Sequence, residues 1–234
     1  MSASGFMLMV DSESFMMLFI GLEIGSISLY ALAGINRGDL LSNEAALKYF
    51  LLGSLASCVL VYGVALVYIS LSISGFYDTA IAIPYIGAGN VPLTTFIGFL
   101  FIIVGLLFKV AAAPFQSWAP DVYQGSPTSV TIFFAILPKV AALTVFIRFL
   151  YVPFANMSDQ WQMIIIFISI ASMIFGAVAA IGQTNLKRLV AYSSIGHMGY
   201  ALAGLSVGTN EGIQSSITCL LYTSDSADEG LGVD

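Results

Sequence analysis

An all-α, polytopic transmembrane helix bundle is the fold class this sequence predicts, and three observations predict it. Charged residues make up only 9% of the chain and hydrophobic ones 59%, with a mean hydropathy of +0.96. A soluble domain carries about 25% charged residues, so most of this surface must face lipid. The apolar residues fall in runs of about 20, the length that crosses a bilayer as a helix. A few prolines and charges lie inside those runs rather than between them.

The elements follow in order. Residues 5–10 (Gly-Phe-Met-Leu-Met-Val) read as the last turns of a helix, so 1–13 is expected to be the end of a truncated one. Six spans come next, at 14–34, 46–74, 94–114, 128–152, 160–182 and 189–207. The third should break. Pro114 removes a backbone donor and clashes with the carbonyl four residues earlier, at Val110. A broken helix is therefore expected near residues 109–120. Pro138 is expected to do the same beside Lys139. A seventh apolar run starts near Gly212 and fails by Asp225, about 13 residues on and too short to cross.

The polar connections orient the bundle. Arg37, Lys48, Lys187 and Arg188 lie at the connections after spans one and five. Asp78 and Asp159 mark those after spans two and four, which hold no lysine or arginine. Basic loops stay on the cytoplasmic side or its organellar equivalent. The loop 115–127 falls on that side too. The net charge of −6 says little about partners, because Asp225, Asp228, Glu229 and Asp234 crowd into the last residues. Cys58 and Cys219 form no CxxC pattern, so neither a structural disulfide nor a zinc site is expected. The nearest approach to a glycine-rich nucleotide motif, Gly87 and Gly89, lacks a third glycine and a following helix. No metal, cofactor or nucleic-acid site is expected.

Three charges sit deep. Glu23 is about 14 Å into the first span and Lys139 about 17 Å into the fourth, at 1.5 Å per residue. Both are near the middle of a core about 30 Å thick. Lys109 lies past the middle of the third span. A charge at the centre costs about 2.5–3.5 kcal/mol on the insertion scale. Each must face protein, water or another charge. The plain alternative is structural: a lone lysine can snorkel, and a Lys–Glu pair can merely lock two helices. Three charges at mid-depth, two of them lysines beside a proline, favour a relay instead. Desolvation and a nearby carboxylate act on a lysine in opposite senses, and a group held between them can exchange its proton as its partner moves.

The segments "LFIGLEIGSISLYAL", "EAALKYFLLG", "GLLFKVAAAPFQSWAPDVYQGSPTSV", "PKVAAL" and "GQTNLKRLVAYSSIGHMGYAL" resemble the antiporter-like subunits of respiratory complex I. The resemblance covers roughly residues 5 to 218. "WAPDVYQGSPTSV" and "PKVA" are similar to the N-type branch, where the L-type and M-type subunits carry other phrases. This implies two inverted helical repeats, each with a broken helix and a proton half-channel. Residues 14–152 would be the first half-channel, family helices five to eight, and 153–218 the start of the second repeat. Glu23, Lys109 and Lys139 match the family's relay residues. Lys187 and His197 fall in the motif that opens family helix ten, as lesser members. A histidine near small residues is about as often a packed hydrogen-bonding group as a relay. The family's outer helices have no counterpart here, and 219–234 fits none of them. That stretch is expected to be a non-native tail, or the chain one piece of a split gene.

The expected function is proton translocation within NADH:quinone oxidoreductase, with no redox centre in this chain. Its partners would be the other membrane-arm subunits and the lipid bilayer, with no nucleic acid and no small-molecule substrate besides protons. The mitochondrial inner membrane is the expected location, with a bacterial plasma membrane or a thylakoid as alternatives. A cation–proton antiporter subunit and a purely structural scaffold are the competing readings. Gly199 and Ala203 have the small-xxx-small spacing that permits close helix contact, so packing roles are real.

Overall fold

The computed structural model describes residues 1–86 and 91–231, with side chains through 222. Gly87 and Gly89 lie outside them, as do residues 232–234 of the expected tail. Ten α-helices are present among the described residues. They are α1 (Ser2–Val10), α2 (Phe15–Ala33), α3 (Leu40–Leu71), α4 (Phe76–Ile86) and α5 (Leu93–Lys109). After them come α6 (Ala119–Gly125), α7 (Thr128–Tyr151), α8 (Ser158–Ile181), α9 (Leu186–Ser206) and α10 (Asn210–Leu231). Four stretches are long and apolar enough to cross a membrane: α2, α3, α7 and Ala155–Ile181. The other two expected spans fall short for different reasons. α5 stops at 17 residues because it breaks after Lys109, and α9 opens on Lys187 and Arg188.

Other boundaries depart from expectation. α3 begins at Leu40, not near 46, because the Asp39 carboxylate accepts the Leu41 backbone N–H at 3.0 Å and caps the first turn. α4 occupies what reads as a connection. It buries Phe76, Thr79 and Ile83 and is anchored where Phe76 N–H donates to the Glu13 carbonyl at 2.9 Å. Pro138 does not interrupt α7, which runs from Thr128 to Tyr151 with the proline inside it. α10 does not fail at Asp225 but continues to Leu231, and Leu220 leans on the core. Its Ser216 donates to the Ala201 carbonyl of α9 at 2.7 Å.

Close backbone crossings tie the helices in pairs. A Cβ on Gly5 would lie 2.4 Å from the Gly25 nitrogen, joining α1 to α2. One on Gly63 would lie 2.7 Å from the Gly98 oxygen, joining α3 to α5, and one on Gly176 2.6 Å from the Gly196 nitrogen, joining α8 to α9. Small residues permit such approaches where lipid offers no hydrophobic drive. At the end holding the start of α2, Phe15, Phe76, Phe149 and Phe154 pack edge-on or tilted, with the centroids of Phe149 and Phe154 5.0 Å apart. Arg148 caps the C-terminus of α1 by donating to the Val10 carbonyl.

Candidate functional site: two buried lysines flanking a broken helix

The break falls where Pro114 demands it. α5 ends at Lys109, and Ala111 takes φ 57, a left-handed conformation uncommon for a non-glycine residue. Irregular backbone at membrane depth must satisfy its polar groups inside the protein. Here Ala113 N–H donates to the Ser172 hydroxyl of α8 at 2.8 Å, and Phe115 N–H to the Ala112 carbonyl at 2.7 Å. The Trp118 indole donates to the Phe108 carbonyl at 3.0 Å.

Lys109 turns toward α2. Its ammonium donates to the Ser26 hydroxyl at 2.9 Å and to the Tyr30 hydroxyl at 3.3 Å, and lies 5.7 Å from the Tyr30 ring centre. Only 6% of Lys109 is exposed. Glu23, one turn before Ser26, accepts a hydrogen bond from Ser57 of α3 and stands within electrostatic reach of Lys109. The two do not form a direct ion pair. Each charge instead has hydroxyl partners of its own: Ser57 at the carboxylate, Ser26 and Tyr30 at the ammonium. Tyr30 meets Tyr49 edge-on at 4.8 Å, and Tyr49 stacks on Trp118 at 4.8 Å and 12°. This aromatic wall runs from α2 to the far side of the break.

Lys139 lies deeper still, 3% exposed, on α7. It donates to the Ser194 hydroxyl of α9 and sits 5.6 Å from the ring centre of Tyr123, on α6. Ser194 also faces the Tyr123 hydroxyl. Half-buried His197 lines the same cleft one turn further along α9, with Leu220 of α10 as a neighbour. The cleft has about 10 Å³ free, room for roughly one water.

Of the residues singled out in the sequence, Glu23 and Lys109 share one site and Lys139 and His197 another. Lys187 belongs to neither. Its ammonium donates to the Ser126 carbonyl at 2.7 Å, at the C-terminal end of α6. Beside it, Arg188 contacts Gln124 at 2.9 Å and Asp121 at 3.1 Å. Asp121 also pairs with Lys48 at 2.7 Å. Lys48, Lys187 and Arg188 thus gather at one end of the bundle, as the charge bias of the connections predicts. Sequence reading missed Ser26, Tyr30, Asp121, Tyr123 and Ser194 as parts of these sites. The available signal was a carboxylate in a connection on the basic side, and Ser26 one turn after Glu23.

These features define a multi-pass membrane-helix protein in which one interrupted helix separates two buried cations. The chain belongs to the family described as NADH:quinone oxidoreductase/Mrp antiporter, transmembrane, whose profile matches residues 12–224. It is similar to NADH-quinone oxidoreductase subunit N of Pelagibacter ubique (strain HTCC1062), 62% identical over 216 residues, covering 92% of this chain and 45% of that protein. A chain of respiratory complex I from Thermus thermophilus, solved with bound aureothin, matches 95% of this chain and 48% of its own, at a TM-score of 0.77 and 36% identity. A chain of the Mrp complex from Dietzia sp. DQ12-45-1b shares the fold, with a TM-score of 0.86 at 22% identity, over 95% of this chain and 41% of its own. The chain spans about half the length of the curated relatives it matches.

Proposed function

We propose that this chain is the proton-translocating part of an N-type membrane subunit of NADH:quinone oxidoreductase. The observation that carries the reading is the pair of buried ammonium groups, Lys109 and Lys139, each hydrogen-bonded to hydroxyls on either side of one broken helix. Hydroxyls both donate and accept, so they can pass a proton without carrying charge themselves. Glu23, Lys109 and Lys139 form the relay. His197 continues it from the Lys139 cleft, and Lys187 is an outer member at the end of α6. Substrate and product are the same ion on opposite sides of the membrane. The chain supplies no redox chemistry, and the other membrane-arm subunits are its partners. The relatives named subunit N come from bacteria, which favours a bacterial plasma membrane over the mitochondrial inner membrane.

The test is Lys139→Met in the assembled complex that carries the full-length subunit, with proton pumping normalised to the amount of complex. Proton transfer is expected to fall about a hundredfold, the scale of a lost proton-transferring group. Lys139→Arg is also expected to fail, because arginine does not release its proton. A scaffold predicts the reverse: Arg preserves function and Met breaks assembly. Normal pumping with Lys139→Met ends the relay role, and sodium transport in its place identifies an antiporter.

A further inference from the structure

α6 is a seven-residue helix, cut off from α5 by the break and from α7 by Pro127. A helix this short does not hold itself in water or in protein without tertiary bonds. Its placement is therefore set by what grips it. Asp121 is its one charged side chain, in the first turn, and it meets two cations from two different helices. Lys48 of α3 lies 2.7 Å from one carboxylate oxygen and Arg188 of α9 3.1 Å from the other. Arg188 also holds Gln124, and Lys187 holds the Ser126 carbonyl just past the helix end. Three bonds from two adjacent residues of α9 thus fall on α6.

The opposite side of α6 is a wall of the Lys139 site. Tyr123, two residues from Asp121, sets its ring 5.6 Å from the Lys139 ammonium. α9 completes the connection, since the helix that grips α6 through Lys187 and Arg188 also supplies Ser194 to Lys139. Moving α6 relative to α9 would therefore take the ring and the hydroxyl apart.

The grip is also built to open. Lys48 has a second carboxylate, Glu44, at 2.8 Å on its own helix. If Asp121 withdraws, Lys48 stays paired and Arg188 keeps Gln124. A cavity of about 190 Å³, lined by Glu44, Lys48, Asp121 and Arg188, gives the carboxylate room to move. Part-exposed pairs of this kind are individually weak, so the switch between partners is shallow. A bistable contact of that sort is what a conformational step needs.

We propose that Asp121 is a positioning residue for proton transfer: a releasable ion-pair latch between α3 and α9 that sets α6, and with it Tyr123, against Lys139. This rests on the relay reading above.

The test again uses the assembled complex with the full-length subunit. Pumping, NADH oxidation and the amount of complex are measured side by side. Asp121→Asn is expected to lower protons moved per NADH about three- to tenfold, the range for losing one or two part-exposed pairs, at unchanged complex amount. Asp121→Glu, which keeps the charge, restores most of the ratio. Tyr123→Leu removes the ring and gives a loss of like size, and combining it with Asp121→Asn adds little, because coupled residues are not additive. Lys48→Gln gives a smaller loss in the same direction. Unchanged protons per NADH in Asp121→Asn, no repair by Asp121→Glu, or additive losses with Tyr123→Leu would overturn the latch. Should Asp121→Asn fail to assemble, the part-exposed Lys48→Gln decides: a lowered ratio supports the latch and an unchanged one overturns it. A silent Asp121→Asn beside a defective Lys139→Met removes the latch alone. Normal pumping in Lys139→Met removes the relay reading and the latch with it.

Discussion

Lys109 and Lys139 flank the same break, but their surroundings differ. Lys109 faces a helix that offers two hydroxyls, Ser26 and Tyr30, and a carboxylate, Glu23, within electrostatic reach. Lys139 has Ser194 as its hydrogen-bond partner, the ring of Tyr123, and His197 along the cleft. Neither ammonium belongs to a salt bridge among the described residues. The first site compensates its charge across two helices, while the second leaves it to dipoles and a ring. The difference teaches that equal burial does not mean equal electrostatic support. The less supported group is Lys139, which has one hydroxyl partner where Lys109 has two.

The sharpest way to break this comparison is to remove both ammonium groups in turn. Lys139→Met and Lys109→Met should each cut pumping about a hundredfold. Their effects on stability should part. An apolar replacement for an unpaired buried charge is often neutral or stabilising, so Lys139→Met should leave the thermal stability of the extracted complex level or higher. Lys109→Met strands Glu23 and should lower it by about 1–3 kcal/mol. Equal stability in both variants would erase the distinction between the sites.

A second, smaller effect comes from the carboxylate. Glu23→Gln should reduce pumping about tenfold and should relieve the instability of Lys109→Met when the two are combined, since residues that act on one another couple by about 0.5–3 kcal/mol. A double variant that shows the plain sum of the single losses would mean that Glu23 and Lys109 act apart.

The smallest effect is expected from the hydroxyls. Ser194→Ala should cost about 1–2 kcal/mol in thermal unfolding, and Ser26→Ala about half that, because Lys109 keeps Tyr30. The order of these two costs is the measurement that matters, and a reversed order would put the weaker support at Lys109.

Much of the frame was readable beforehand because its causes are local. Apolar length set the spans, and Pro114 set the end of α5 at Lys109, since a proline removes a donor wherever it stands. Local rules misled where tertiary context could override them. Pro138 also lacks a donor, yet α7 continues through it, its proline packed among other helices. The early start of α3 was available in the sequence as the Asp39 cap. The site was only half legible. Buried charges announce themselves against an apolar background, but their hydroxyl partners do not, since serine and tyrosine are ordinary residues in any membrane helix. Asp121 was hidden for a different reason. Its partners Lys48 and Arg188 lie on α3 and α9, far along the chain in either direction, and only the folded bundle brings them to one carboxylate.

The glycine crossings have a mechanical consequence. Where Gly63 meets Gly98 and Gly176 meets Gly196, backbone touches backbone, with no side chain between to act as a cushion. Two helices joined this way bend together or not at all. The stretch from Val110 to Trp118 has no continuous helical ladder, yet it is largely buried and its backbone is bonded to Leu106, Phe108, Leu107 and Ser172, so it is a shaped joint held by both its neighbours and itself. Any tilt that α3 and α5 share is therefore carried to the place where α5 ends, beside Lys109.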